Sequence, residues 1–127
     1  MLYVNVVMKE ASSNSSLGNH SLMTQGQIEA ASQLFAALAE PVRLRLIQTL
    51  MNSNLTVSEL MEATGLKQAN VSKHLGILLV SGLVERTKEG TFSRYAIADP
   101  FLKTLCSLVC GRIEDQASQR LLSLKRR

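Results

Sequence analysis

The spacing of apolar residues changes at Gly82, and that change constrains the fold more than any other feature. Before Gly82 apolar side chains recur at intervals of three and four, the period of helices with one buried face. Beyond it, Leu83-Val84-Glu85-Arg86-Thr87 and Phe92-Ser93-Arg94-Tyr95-Ala96-Ile97 alternate with period two around Lys88-Glu89-Gly90-Thr91, which predicts a β-hairpin with a turn glycine. Helical spacing then returns until near the end of the chain. With 127 residues, 46% of them hydrophobic, the chain is expected to bury one modest core in one small domain and is too short for a multidomain enzyme.

Four helices are predicted ahead of the hairpin. Ile28, Ala31, Leu34, Phe35 and Leu38 mark the first, and the folded domain is expected to begin near Gly26. Pro41 suits a first helical turn, and Val42, Leu44, Leu46, Ile47 and Leu50 carry a second helix over about 41–51. Thr56 followed by Glu59 is a capping box, so a third helix is predicted over about 56–64, stopped by Gly65. Val71, Leu75, Leu78 and Leu79 place a fourth over about 67–80. Asp99-Pro100 opens a last helix, on which Leu102, Leu105, Cys106, Val109, Cys110 and Ile113 form one apolar stripe. The third and fourth helices, joined by a short turn containing glycine, fit a helix-turn-helix, and the hairpin would be its wing.

The expected fold class is therefore mainly α with a small β-hairpin, a winged helix-turn-helix in the order α-α-α-α-β-β-α. Residues 1–25, rich in serine and asparagine, are expected to form a flexible arm; residues 26–119 the folded winged-helix domain; and residues 120–127 a basic C-terminal tail. The N-terminus lacks the pattern of a secretory signal, and the longest apolar runs fall far below the roughly 18–20 residues that cross a bilayer. A cytoplasmic protein with no membrane partner is expected, with both cysteines resting as thiols.

Charge is unevenly placed. Residues 1–66 carry three basic and five acidic side chains, whereas residues 67–127 carry eleven and five, an imbalance that favours a polyanionic partner. On the fourth helix Ala69, Asn70 and Lys73 point away from the apolar stripe, with Gln68 and Ser72 at its flanks. Asparagine and glutamine pair with adenine, lysine with guanine, and serine with base edge or phosphate, so this face suits a major groove. Taken alone it would read as a solvated polar face. A capped helix before it, a glycine turn and a basic hairpin after it favour double-stranded DNA as the partner.

The ordered run of segments resembles the ArsR/SmtB family of winged-helix transcriptional repressors over about residues 28–115. The residues that carry the resemblance are 34–47 (LFAALAEPVRLRLI), Thr56-Val57-Ser58-Glu59-Leu60, Gln68-Ala69-Asn70-Val71-Ser72-Lys73-His74-Leu75, Gly82-Leu83-Val84, and Gly90 with Tyr95. The resemblance implies a homodimer joined through the first and last helices, with each fourth helix in a major groove. Two-fold symmetry would then require an inverted-repeat operator with half-sites roughly 10 base pairs apart, or a multiple of that. By the same similarity Gln68, Ala69, Ser72 and Lys73 occupy DNA-reading positions, and Arg86, Lys88 and Arg94 belong to the wing that holds phosphate. Asn70 and His74 complete the expected DNA-contacting set. Lys67 stands where the family commonly has a helix-capping serine, and it is expected to reach a phosphate instead.

Members of the family often release DNA when a metal or an oxidant is sensed. The cysteines of an arsenic-type site are absent from Ser58-Glu59-Leu60-Met61-Glu62, and the two histidines, His20 and His74, lie away from the last helix, where a zinc-type site would need them. No metal is assigned. Cys106 and Cys110, one helical turn apart, are the candidate sensor thiols. Three roles stand open for them: small buried hydrophobes, an oxidation or sulfur switch, or a clasp for a thiophilic metal or metalloid. No required cofactor is expected. An enzyme is not expected either, because Cys-x-x-Cys, phosphate-binding glycine loops and nucleophile–histidine spacings are missing. The alternative reading is a winged-helix protein-interaction module without specific DNA binding.

Overall fold

The computed structural model describes residues 22–125. Among these, α1 spans Gln25–Leu38, α2 Pro41–Leu50, β1 Leu55–Thr56, α3 Val57–Thr64, α4 Gln68–Val80, β2 Val84–Glu89, β3 Phe92–Ile97 and α5 Pro100–Lys125. The winged helix-turn-helix is present, with one addition. A two-residue strand, β1, pairs antiparallel with β3 through Leu55↔Tyr95 and Thr56↔Arg94, so the hairpin becomes a three-stranded sheet in the order β1-β3-β2. Two residues are too few to show an alternation in sequence, and Thr56 also serves as the N-cap of α3.

Local chemistry sets most of the boundaries. Thr24 and Gln27 form a reciprocal capping box that starts α1 at Gln25, inside the expected arm; residues 1–21 of that arm lie outside the described residues. Glu40 caps α2 by accepting from the Arg43 amide, and Pro41 fills the first turn. α4 ends in a Schellman arrangement: Gly82 takes φ +74°, its amide reaches the Leu79 carbonyl, and the Leu83 amide reaches Leu78. A side chain at Gly82 would be strained in that left-handed conformation. The hairpin register runs from Val84↔Ile97 to Glu89↔Phe92, leaving Gly90 and Thr91 as a two-residue loop. Lys88 and Glu89, expected in the turn, belong to β2.

The core lies where α2, α3 and α4 meet the sheet. Leu46, Ile47, Leu60, Val71, Leu75, Leu78 and Leu102 are completely or almost completely buried there, with Leu83, Val84 and Tyr95 closing it from the wing. Asp99 caps the start of α5 by accepting from the Phe101 amide. Beyond Leu102, Leu105 and Cys106, α5 leaves the core. It remains helical through Lys125, so the part of the expected basic tail that is described, residues 120–125, continues the helix. No glycine or proline follows Gly111 to stop it.

Candidate nucleic-acid interface

The α3–turn–α4 unit is held by signals within a few residues. The Thr56 hydroxyl accepts from the Glu59 amide and the Glu59 carboxylate accepts from the Thr56 amide, fixing the start of α3. Gly65 ends α3, the Thr64 hydroxyl donates to the Leu60 carbonyl, and the Leu66 amide returns to Thr64. Lys67 occupies the N-cap of α4 and provides no side-chain cap, as expected from its replacement of a serine. Its side chain is exposed at the start of the helix.

Six of the residues expected to contact DNA, Lys67, Gln68, Ala69, Asn70, Ser72 and Lys73, form one exposed surface over the first turns of α4. Val71, Leu75 and Leu78 seal the opposite face into the core, so the helix cannot roll without exposing them. His74 does not join the exposed set. Only 8% exposed, it lies three residues after Val71 and four before Leu78, on the buried face. Its Nδ1 sits 3.2 Å from Arg43 Nη1 and 3.7 Å from Glu40 Oε2. The expectation that His74 belongs to the DNA-contacting face is corrected accordingly.

On the wing, Arg86 and Lys88 are exposed on the same face of β2. Arg94 is committed elsewhere. Its Nε donates to Glu89 Oε2 at 3.1 Å, and its Nη1 donates to Glu59 Oε1 at 3.1 Å and to the Asn54 carbonyl at 3.0 Å. Glu89, and after it Glu59, raise the basicity of Arg94. The hydrogen bonds from Thr56, with a smaller contribution from Arg94, hold the Glu59 carboxyl below its ordinary range. Arg94 thus ties the wing to the first turn of α3, a role sequence could not display because Glu59 is distant along the chain. Phe92, exposed at the wing tip beside Gly90 and Thr91, was not singled out from sequence.

The two thiols differ. Cys106 packs partly against the core, and burial pushes its thiol up. Cys110 is exposed, with its Sγ 3.7 Å from Glu114 Oε1. A pair of buried hydrophobes is therefore not what a single chain presents. No group of three or more His, Cys, Asp or Glu side chains arranged to hold a metal occurs among the described residues. Apolar side chains also stand uncovered on the outer helices: Ile28 and Phe35 on α1, and Val109, Ile113, Leu121 and Leu124 on α5. No helix among the described residues is long and apolar enough to cross a membrane.

Comparison with known proteins points the same way. The bacterial regulatory protein, arsR family, description matches residues 40–86, from the cap of α2 to the base of the wing. A probable mercury resistance operon repressor of Streptomyces lividans is 31% identical over 105 residues, covering 72% of this chain and 84% of the relative. The crystal structure of the AntR antimony-specific transcriptional repressor superimposes with a TM-score of 0.70 or better, at 0.72, with 30% identity, over 83% of this chain and 96% of that one. A homodimeric winged helix-turn-helix DNA-binding domain from Mycobacterium bovis gives a TM-score of 0.70 at 26% identity, over 81% of this chain and 95% of the other.

Proposed function

This chain belongs to the ArsR/SmtB family of winged-helix transcriptional repressors, DNA-binding regulators and not enzymes, and from that premise we propose that it acts as a homodimer on an inverted-repeat operator. The exposed turns of α4 read base edges in the major groove through Gln68, Asn70, Ser72 and Lys73, while Ala69 allows close approach. Lys67, Arg86 and Lys88 neutralise phosphates on either side. The observation that carries this reading is a polar, hydrogen-bonding α4 face standing free while its apolar face is locked into the core. The uncovered apolar residues of α1 and α5 support a second copy as the dimer partner, and the homodimeric neighbour from M. bovis supports the same assembly.

For the signal, we propose that Cys106 and Cys110 release DNA on thiol oxidation or on binding a thiophilic metal or metalloid. Mercury and antimony appear in the names of two similar proteins, and both elements favour sulfur ligands. One chain offers two thiols one turn apart, so a soft ion held by three or four sulfurs requires both copies, which would couple binding to the packing of the dimer. The test is a titration of reduced protein against the DNA upstream of its own gene and a scrambled duplex, at two salt concentrations, repeated after thiol oxidation and after antimonite. Specific, salt-sensitive binding that the treatments lower, and that Cys106→Ser with Cys110→Ser makes insensitive, is the expected result. Equal binding to both duplexes removes the operator reading, and an unchanged response in the double variant removes the thiols.

A further inference from the structure

Among the described residues His74 is the one buried polar side chain, and its partner does more than satisfy it. Helix α1 ends with carbonyls that lack helical partners. Those of Phe35 and Leu38 accept from the amides of Ala39 and Glu40. Those of Ala36 and Ala37 accept from the Arg43 guanidinium, through Nη2 at 3.2 Å and Nε at 2.5 Å. The remaining terminal nitrogen, Nη1, lies 3.2 Å from His74 Nδ1 on α4. The Arg43 amide donates to the Glu40 cap at 2.9 Å. Arginine has no acceptor, so this contact is a hydrogen bond in the tautomer whose Nδ1 presents its lone pair to Nη1. A single side chain thereby bolts together the end of α1, the start of α2 and the middle of α4.

Apolar packing by Val71, Leu75 and Leu78 fixes which face of α4 is buried, but it is non-directional and sets small shifts of angle and register less sharply than a hydrogen bond does. A hydrogen bond from a rigid fork has one good geometry. Lys73 and Ser72 immediately precede His74, so a small rotation at His74 displaces the groups that face DNA. We propose that Arg43 and His74 are positioning residues for sequence reading: they fix the register of α4 relative to α1 and α2, and so the aim of the α4 side chains, without touching DNA themselves. The proposal rests on the reading of α4 as the DNA-contacting helix.

The test uses the full chain with three variants, His74→Leu, His74→Asn and Arg43→Lys. Each is titrated against the upstream duplex and a scrambled duplex over a range of salt, with thermal unfolding followed in parallel. His74→Leu suits a buried apolar face and lacks the acceptor; Arg43→Lys keeps the charge and lacks the fork. Both are expected to bind scrambled DNA within about twofold of the parent with an unchanged salt slope, and to lose about 10-fold or more of their preference for the upstream duplex. His74→Asn, whose amide oxygen falls near the place of Nδ1, is expected to recover most of that preference. A merely structural role would lower thermal stability and leave the preference of the folded protein intact, which overturns the proposal. A salt slope reduced by about one in Arg43→Lys would make Arg43 a phosphate ligand and overturns it as well. Should the parent itself show no preference between the duplexes, the DNA reading fails beneath it; a parent with preference and variants without change sinks the positioning role alone.

Discussion

The body from α2 to β3 and the two outer helices are built from comparably apolar sequence and end in opposite environments. Leu46, Leu60 and Leu78 are fully buried, whereas Val109 and Ile113 on α5 remain 52% and 59% exposed. The body closes on itself because α2, α3, α4 and the sheet each present an apolar face to the same centre. Among the described residues the stripe on α5 packs against the core only as far as Cys106, and it continues past that point with helical spacing through Ile113 to Leu121 and Leu124. Apolar periodicity therefore marks a buried face without saying which molecule buries it. In this chain the inner set holds the helix proposed to read DNA, and the outer set is proposed to meet a second copy.

Substitutions in either region test that contrast. The largest effect is expected from Ile113→Glu, which puts a charge from each copy into the proposed interface; an unpaired buried charge costs about 3–5 kcal/mol, so dimers should disappear and operator affinity fall about 100-fold or more. Sedimentation velocity and fluorescence anisotropy would record both, and an unaltered dimer would move the interface elsewhere. Leu60→Ala acts on the other region. It should destabilise the body by about 2–5 kcal/mol in chemical denaturation while leaving dimerisation of the folded protein intact. A loss below 1 kcal/mol, on the order of an exposed-site substitution, would contradict the core described above.

Lys67→Ser separates two opposing contributions at one position. Restoring a capping side chain to α4 should stabilise the fold by about 1 kcal/mol, and removing a phosphate contact should lower the salt slope of DNA binding by about one. The thiols report on the outer surface more gently. In the Ile113→Glu monomer Cys110 should be alkylated faster than Cys106, whose thiol burial pushes up and so keeps protonated; in the dimer Cys110 should slow, because it shares a face with Ile113. Equal Cys110 rates in both would separate it from the interface.

The smallest effect concerns Glu59. Its carboxyl titrates below the usual range in the folded chain, so its contribution is fully present above the ordinary carboxylate range and is lost as pH falls through the folded value. Glu59→Gln should flatten the loss of stability that sets in as pH falls below the ordinary carboxylate range, measured by thermal melts. An identical profile in the variant would assign the acid sensitivity to other carboxylates.

Much of the body was legible because its signals are local. The Thr56–Glu59 box, Gly82 and the change of period at the hairpin are each contained within a few residues. The Thr24–Gln27 box was equally local but sits in a polar stretch that reads as an arm, so the start of α1 was placed late. His74 was misassigned although the helical period alone places it beside Val71 and Leu78; the DNA-binding context drew it to the wrong face. The tie of Arg94 to Glu59 was beyond reach, since the β1–β3 pairing brings Glu59 to it and a two-residue strand leaves no pattern, whereas Glu89 comes to it through the hairpin itself. The exposure of the α5 stripe does not follow from periodicity, which does not identify a partner; only the family resemblance implied that the last helix meets a second copy.

The most direct test of the central claim is the mass of the complex formed on one duplex carrying the upstream DNA, measured by light scattering during size exclusion at physiological salt. Two chains of 13.9 kDa per duplex, competed by the upstream sequence and not by a scrambled one, is the predicted result. One chain per duplex, or equal competition by both sequences, would contradict it.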